Sequence, residues 1–326
     1  MTSPFARADF PFALRLVTEA AAVAAYDWVG RGEKETGDGA AVEAMRAALG
    51  SININAVVMI GEGEKDNAPL LYRGERIGQA AFGGEPEIEI AVDPIEGTTN
   101  MANGVENSMA VLAMAPRGAM YDLGPSFYMD KLVLPAPAKG KIDPTWSVPQ
   151  KLEALAKALN KPMRELRIFV LNRKRHHPMI KAIHEAGART VLYENGDVSG
   201  ALMAAQPGPG GSDLGVDAMF GTGGSPEGII TAIAVRALGG EFFGRVDPQG
   251  DDEAAKVKAF GLDSTRWLSG HELVKSDDAV FVASGISSGP LCRGVSIQRG
   301  TTRLHTVILM AQNQARYDLV SRLKQG

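Results

Sequence analysis

Apolar positions recur at helical spacing through residues 11–29, an Ala-rich run that predicts an amphipathic helix. Gly30-Arg31-Gly32 stops it. Asp38 reads as the N-cap of a second helix reaching about Leu49. Ala56–Ile60 is a short apolar run that predicts a strand, broken by Gly61-Glu62-Gly63-Glu64. Residues 87–92 alternate polar and apolar, so the next strand is expected over 88–92. Further strands are expected at 109–114 and 129–134, and 135–149, rich in Pro, Lys and Gly, reads as a surface connection. A helix over 150–159 follows. The pattern then repeats: strand Arg167–Leu171, helix 178–186, strand 190–193, helix Asp197–Ala205, strand 215–220, helix 226–238. Such alternation predicts an α/β fold. Residues 279–284 and 302–309 form two more apolar runs. The change of pattern places a boundary near residue 165, dividing the chain into halves 1–165 and 166–326.

Composition narrows the class. The 326 residues are 45% hydrophobic and 22% charged, ordinary for a globular protein with a sizeable core. A net charge of −4 without a basic block argues against nucleic acid as a partner. One cysteine, Cys292, excludes an intramolecular disulfide and a Cys-based zinc site. No run approaches the ~18 apolar residues of a membrane span. The first residues lack the charged-then-apolar order of a signal peptide, so a cytoplasmic enzyme is expected.

The strand ending at Val92 runs into Asp93-Pro94-Ile95-Glu96-Gly97-Thr98-Thr99. Two acids on a tight turn, followed by a glycine and two hydroxyls, exceed what a structural turn needs. They suit divalent cations held against a phosphate. Glu62 also follows a strand, at the edge where α/β proteins place ligand loops. Asp38 alone reads more simply as a helix cap. In the second half, Gly221-Thr222-Gly223-Gly224-Ser225-Pro226-Glu227-Gly228 precedes an apolar helical run. Ser225 reads as its N-cap and Pro226 as its first residue. Such a glycine-rich approach lets backbone N–H groups meet an anion. Glu227 either ligates a metal or complements the helix dipole. The glycine spacing fits neither a dinucleotide fingerprint nor a Walker A loop. Arg173-Lys174-Arg175-His176-His177 is either a solvated face or the seat of a second phosphate. Neither histidine has metal-ligand spacing.

Taken together, these segments resemble the class II fructose-1,6-bisphosphatases, of the lithium-sensitive, metal-dependent phosphatase superfamily. The likeness spans about residues 11–310 and rests on Gly30 to Lys34 with Asp38-Gly39, Ile60 to Pro69, the Asp93 motif, Phe127-Tyr128-Met129, Arg175-His176, Gly196-Asp197-Val198 and Gly223 to Gly228. Glu at position 96, where the wider superfamily has Asp, is typical of this class. The resemblance implies an αβαβα layered sandwich of two α/β halves with the active site between them, assembled as dimers or tetramers. It implies Mg2+ or Mn2+ held by Asp38, Glu62, Asp93, Glu96 and Glu227. It implies catalysis by Thr98 with Glu62, and Lys34 lies in a matching segment near the site. Substrate contacts fall on Glu96, Gly97, Thr98, Tyr128, Arg173, Lys174, Arg175, Asn195, Gly196, Asp197 and Gly224. The implied reaction is hydrolysis of the 1-phosphate of fructose-1,6-bisphosphate, a step of gluconeogenesis or carbon fixation, with sedoheptulose-1,7-bisphosphate as a further substrate. The family often has Asp where Asn195 stands, and Lys or another residue at Arg173. Both changes touch sugar recognition rather than the metal cluster. The alternatives are another phosphomonoesterase of the superfamily, such as an inositol monophosphatase, or a non-catalytic sugar-phosphate-binding regulator.

Overall fold

In the computed structural model, which describes residues 5, 9–61, 70–81, 83–206 and 215–324, the opening Ala-rich run folds as α1 (Phe10–Tyr26). It buries Leu14, Val17, Ala21, Ala22 and Ala25 completely. Then come α2 (Lys34–Gly50), β1 (Ala56–Ile60), β2 (Arg76–Ile77), β3 (Ile88–Glu96), α3 (Thr98–Asn103) and β4 (Ser108–Pro116). The middle of the chain runs β5 (Tyr128–Leu134), α4 (Val148–Leu159), β6 (Arg167–Leu171), α5 (His177–Glu185), β7 (Arg189–Tyr193), α6 (Asp197–Ala205), β8 (Ala218–Gly224) and α7 (Ser225–Ala237). It closes with β9 (Glu241–Val246), α8 (Asp251–Phe260), β10 (Leu268–Ser269) and α9 (Gly270–Leu273). Four strands follow: β11 (Val280–Ser287), β12 (Ser296–Gln298), β13 (Thr301–Met310) and β14 (Ala315–Lys324). The fold is α/β, with two mixed sheets.

Two compact units divide the chain, residues 1–120 with 275–326 and residues 121–274. The first unit holds a sheet in the order β12-β13-β11-β4-β3-β1-β2, with β14 added on β13. β3 and β4 are buried along nearly their whole length, as strands covered on both faces are. One core cluster joins α1 and α2 to this sheet through Leu14, Met45, Ile90, Leu112, Val282 and Ile308. The second unit holds the sheet β10-β9-β5-β8-β6-β7. Leu152 and Leu155 of α4 and Ile183 of α5 pack there against Leu132, Ile168, Val170 and Phe220.

The units part at 120/121 and 274/275, not near the boundary expected at 165. The reason is hydrogen bonding at long range: β11 pairs antiparallel with β4 (Val282 opposite Leu112), which draws the last fifty residues back into the first sheet. Other expectations shift locally. β3 continues four residues past Val92, so Asp93 and Glu96 lie within it rather than on a turn after it. α2 starts at Lys34, which places Asp38 inside the helix and not at its cap. Gly221 to Gly224 are the end of β8, and Gly224 takes the N-cap place expected of Ser225. Within the expected surface connection 135–149, Ala138 and Ile142 are buried in the second core.

Candidate active site

In a regular strand, residues three apart point to opposite faces. Asp93 and Glu96 do not, because β3 carries one extra residue between them. Asp93 lies opposite Val111 and Glu96 opposite Met109, so three steps on β3 match two on β4. This β-bulge accommodates Pro94, which has no N–H for the ladder, and turns both acids to one face. Their carboxylate oxygens approach within 4.8 Å. Asp93 Oδ1 also accepts the Ile95 N–H at 3.0 Å, which fixes the bend. Glu96 is buried and Asp93 half-buried.

The chain then reverses at Gly97, whose φ of +81° is the left-handed region that favours glycine. A Cβ there would also stand 2.8 Å from the Asn107 carbonyl. Thr98 begins α3, and its hydroxyl donates to the Ile95 carbonyl at 2.9 Å. Thr99 is exposed. Backbone bonds fasten the turn before α2 onto α3: Gly30 N–H donates to Met101 O at 2.9 Å, and Gly32 N–H to Ala102 O at 2.8 Å. α2 packs on α3 and β3, so half-buried Asp38 and exposed Lys34 ride on the helix beside the motif. Glu62 lies outside the described residues.

In the second unit, residues 172–176 form a hook between β6 and α5. Its bolt is His176, which is 3% exposed. Its Nδ1 lies 2.7 Å from the Leu171 carbonyl, and its Nε2 accepts the Thr222 N–H at 2.8 Å. Nδ1 therefore carries the proton and the ring is neutral. Burial holds its pKa below the ordinary imidazole value, against a smaller upward pull from the Leu171 hydrogen bond. Both ring nitrogens thus serve backbone groups. The hook presents Arg175, which donates to the Thr222 carbonyl at 2.9 Å and lies over the Tyr128 ring at 5.0 Å. Arg173 donates to Asn195 Oδ1 at 2.7 Å and faces Glu194 at 3.9 Å. Lys174 is exposed.

Asp197, first residue of α6, is buried against Lys131 of β5, with Nζ to Oδ2 at 2.5 Å. Lys131 is 1% exposed, and nothing in the spacing of the sequence marks it. A Cβ at Gly223 would overlap Asp197 Oδ2, and one at Gly224 would overlap the Glu227 carboxylate. Those two glycines therefore clear space for acids on α6 and on the first turn of α7. Thr222 donates to Asp247 Oδ2 at 2.6 Å, a second partner that sequence patterning missed. Within the first unit Asp93 and Glu96 come together with Thr98 following them, and Asp38 rides on α2, which packs against β3 and α3; in the second, Tyr128, Arg173, Arg175, Asn195, Asp197, Gly224 and Glu227 lie around the ends of β5, β6 and β8.

Paired carboxylates at a bulged strand end, with a hydroxyl following them, are a donor set that could hold a divalent cation. Comparison with known proteins gives the family. The family described as "Bacterial fructose-1,6-bisphosphatase, glpX-encoded" matches residues 9–321. The chain is 38% identical over 311 residues to "Fructose-1,6-bisphosphatase 1 class 2" of Escherichia coli strain K12, covering 91% of this chain and 90% of that protein. The same identity and coverage hold for "Fructose-1,6-bisphosphatase class 2" of Shigella flexneri. The chain belongs to the bacterial, class 2 fructose-1,6-bisphosphatase family.

Proposed function

We propose that this chain hydrolyses the 1-phosphate ester of fructose-1,6-bisphosphate, releasing fructose-6-phosphate and inorganic phosphate. The observation that most supports this is the bulged end of β3, which turns Asp93 and Glu96 to one face beside Thr98. Asp38, Glu62, Asp93, Glu96 and Glu227 are the proposed ligands of Mg2+ or Mn2+. The donors suit such ions, since all are carboxylates and hard cations prefer oxygen. Two carboxylates with oxygens within 4.8 Å repel one another unless a cation neutralises them. When bound, such ions lower the pKa of water and neutralise phosphoryl oxygens.

Thr98 is assigned to the attacking water. Its proton is committed to Ile95 O, which leaves its lone pairs to accept from that water and aim it. Glu62 is the proposed acceptor of the water's proton. Lys34 stands one helical turn before Asp38 on α2 and supplies positive charge on the same helix face. Backbone N–H groups of Gly97 and Thr98 hold the phosphoryl oxygens as charge develops. Tyr128, Arg173, Lys174 and Arg175 are assigned to the distal phosphate, and Asn195, Gly196, Asp197 and Gly224 to sugar hydroxyls. Their remote binding energy positions the reacting ester. Residues 1–165 thus carry most of the metal-binding and catalytic set, and 166–326 most of the sugar-phosphate set. No step requires a covalent enzyme intermediate, and the buried Cys292 has no part.

Sedoheptulose-1,7-bisphosphate is a second proposed substrate, and Asn195, an amide held by Arg173 where the family often has a carboxylate, stands among the residues assigned to sugar recognition. A cytoplasmic homo-oligomer, dimer or tetramer, completes the reading. Among the described residues no helix is long and apolar enough to cross a membrane. The test is phosphate release with Mg2+ and Mn2+ supplied separately, against fructose-1,6-bisphosphate, sedoheptulose-1,7-bisphosphate and inositol-1-phosphate. Release from fructose-1,6-bisphosphate that stops with chelator is expected. Release from inositol-1-phosphate alone, or from no substrate with either metal, overturns the reading.

A further inference from the structure

The ten-residue strand β14 lies at the margin of the first sheet, and among the described residues it pairs only with β13. Its register with β13 is unbroken from Ala315 to Lys324, without proline or bulge. A long, regular edge is a template for another strand, and this one carries exposed Arg316, Asp318, Arg322 and Lys324, so a partner strand must answer those charges. Its neighbours on α1 are both apolar and polar. Phe12 of α1 meets Tyr317 at 5.0 Å between ring centroids, and Ser321 donates to Glu19 at 2.5 Å. The residues of α1 that meet β14 are thus Phe12, Arg15 and Glu19, with Arg15 donating to Ser321 at 3.1 Å, and on the same helix Leu16 is 52% and Val23 36% exposed. On β14 itself Leu323 is 48% and Val320 51% exposed, one on each face.

We propose that β14 pairs antiparallel with β14 of a second copy of this chain, about a two-fold axis at Val320, joining the two sheets edge to edge. The register follows from complementarity on both faces. An axis at Val320 sets Val320 against Val320, Asp318 against Arg322, and exposed Leu323 against Tyr317 of the other copy, the last two pairs occurring twice as an isologous interface requires. Moving the axis to Leu319 sets Arg316 against Arg322, a like-charge pair. Moving it to Ser321 sets Val320 against Arg322 and leaves Asp318 at the frayed end opposite Lys324. The Val320 register does place Arg316 opposite Lys324, but at the solvated ends, where screening is strongest. Asp318 already accepts from Arg316 at 2.7 and 2.9 Å, and a carboxylate retains capacity for a further donor. The proposal does not depend on the catalytic reading.

Sedimentation equilibrium of the full chain tests it. The unaltered protein is expected to be at least dimeric. Arg322→Asp should raise the dimer dissociation constant at least about tenfold, since it creates two like-charge pairs. Asp318→Arg combined with Arg322→Asp should restore association, because the swap rebuilds both opposite-charge pairs. Circular dichroism checks that each variant is folded. Independently, Val320→Cys should form a disulfide between copies on mild oxidation, whereas Glu185→Cys on α5 should not. Cys292 stays silent, with burial pushing its thiol pKa up to about 12. A monomeric unaltered protein overturns the proposal. So does an assembly indifferent to Arg322→Asp, or one whose Val320→Cys form fails to cross-link.

Discussion

Thr98 and His176 are both held by hydrogen bonds to backbone, but they carry opposite kinds of consequence. Thr98 donates its proton to Ile95 O, and in the proposed reaction its lone pairs accept from the attacking water. Thr98→Ala is expected to lower kcat by about 100-fold or more while calorimetric affinity for the metal stays nearly unchanged. Thr98→Ser should recover much of the loss; near-normal turnover in Thr98→Ala would remove the residue from the mechanism. His176 acts through shape. It bonds the Leu171 carbonyl and the Thr222 N–H, and its burial favours the neutral ring. Its folded pKa is therefore depressed below the unfolded value. For a base this means the stabilisation is complete above the unfolded pKa and is lost as pH falls through it toward the folded one. His176→Gln should destabilise by about 1–3 kcal/mol at pH 7.5. The difference in melting temperature between the two proteins should shrink on acidification below about pH 6.5. A constant difference across that range would show that the ring does not titrate as described.

At the scale of elements, the bulge in β3 and the turn at Gly97 act as one device. The bulge corrects the facing of the acids, and Gly97 reverses the chain so that Thr98 returns beside them. Gly97→Ala meets both a positive φ and the Asn107 carbonyl. A loss of at least about 1 kcal/mol in chemical denaturation is expected, with metal affinity weakened more than in an Ala substitution at exposed Thr99. This device also shows how far the sequence could be read. The residue types of the motif declared metal and phosphate. The bulge did not show, because a period-two pattern cannot reveal where one residue is extra. Asp38 reads as a cap from sequence because the helix start is fixed by the preceding turn docked on α3, which the spacing does not show. Lys131 was invisible for a different reason: a lysine in a strand reads as solvent-facing, and only Asp197, sixty-six residues on, explains its burial. β9 and β14 were passed over because their charged residues and glycine dilute the alternation. Strand Arg167–Leu171 and helix Asp197–Ala205, whose patterns are undiluted, form within the expected bounds.

At the scale of the whole molecule, the second unit is one continuous stretch and the first is not. Residues 121–274 expressed alone are expected to give cooperative thermal unfolding with dispersed amide resonances. Residues 1–120 alone should not, because β4 lacks β11, the neighbour that buries its far edge. Cooperative folding of the shorter fragment would count against β11 as an essential partner. A chain is made from its N-terminus, and β11 reaches Ser287 only 171 residues after β4 ends at Pro116. At about 5–20 residues per second, β4 waits roughly ten to thirty seconds on the ribosome with one edge bare. In that interval the inserted unit can complete itself. β3, which carries the acidic motif, and its neighbour β4 are thus synthesised early and their side of the sheet is sealed late, and the nascent chain is most open to mispairing or to chaperone capture along Ser108–Pro116.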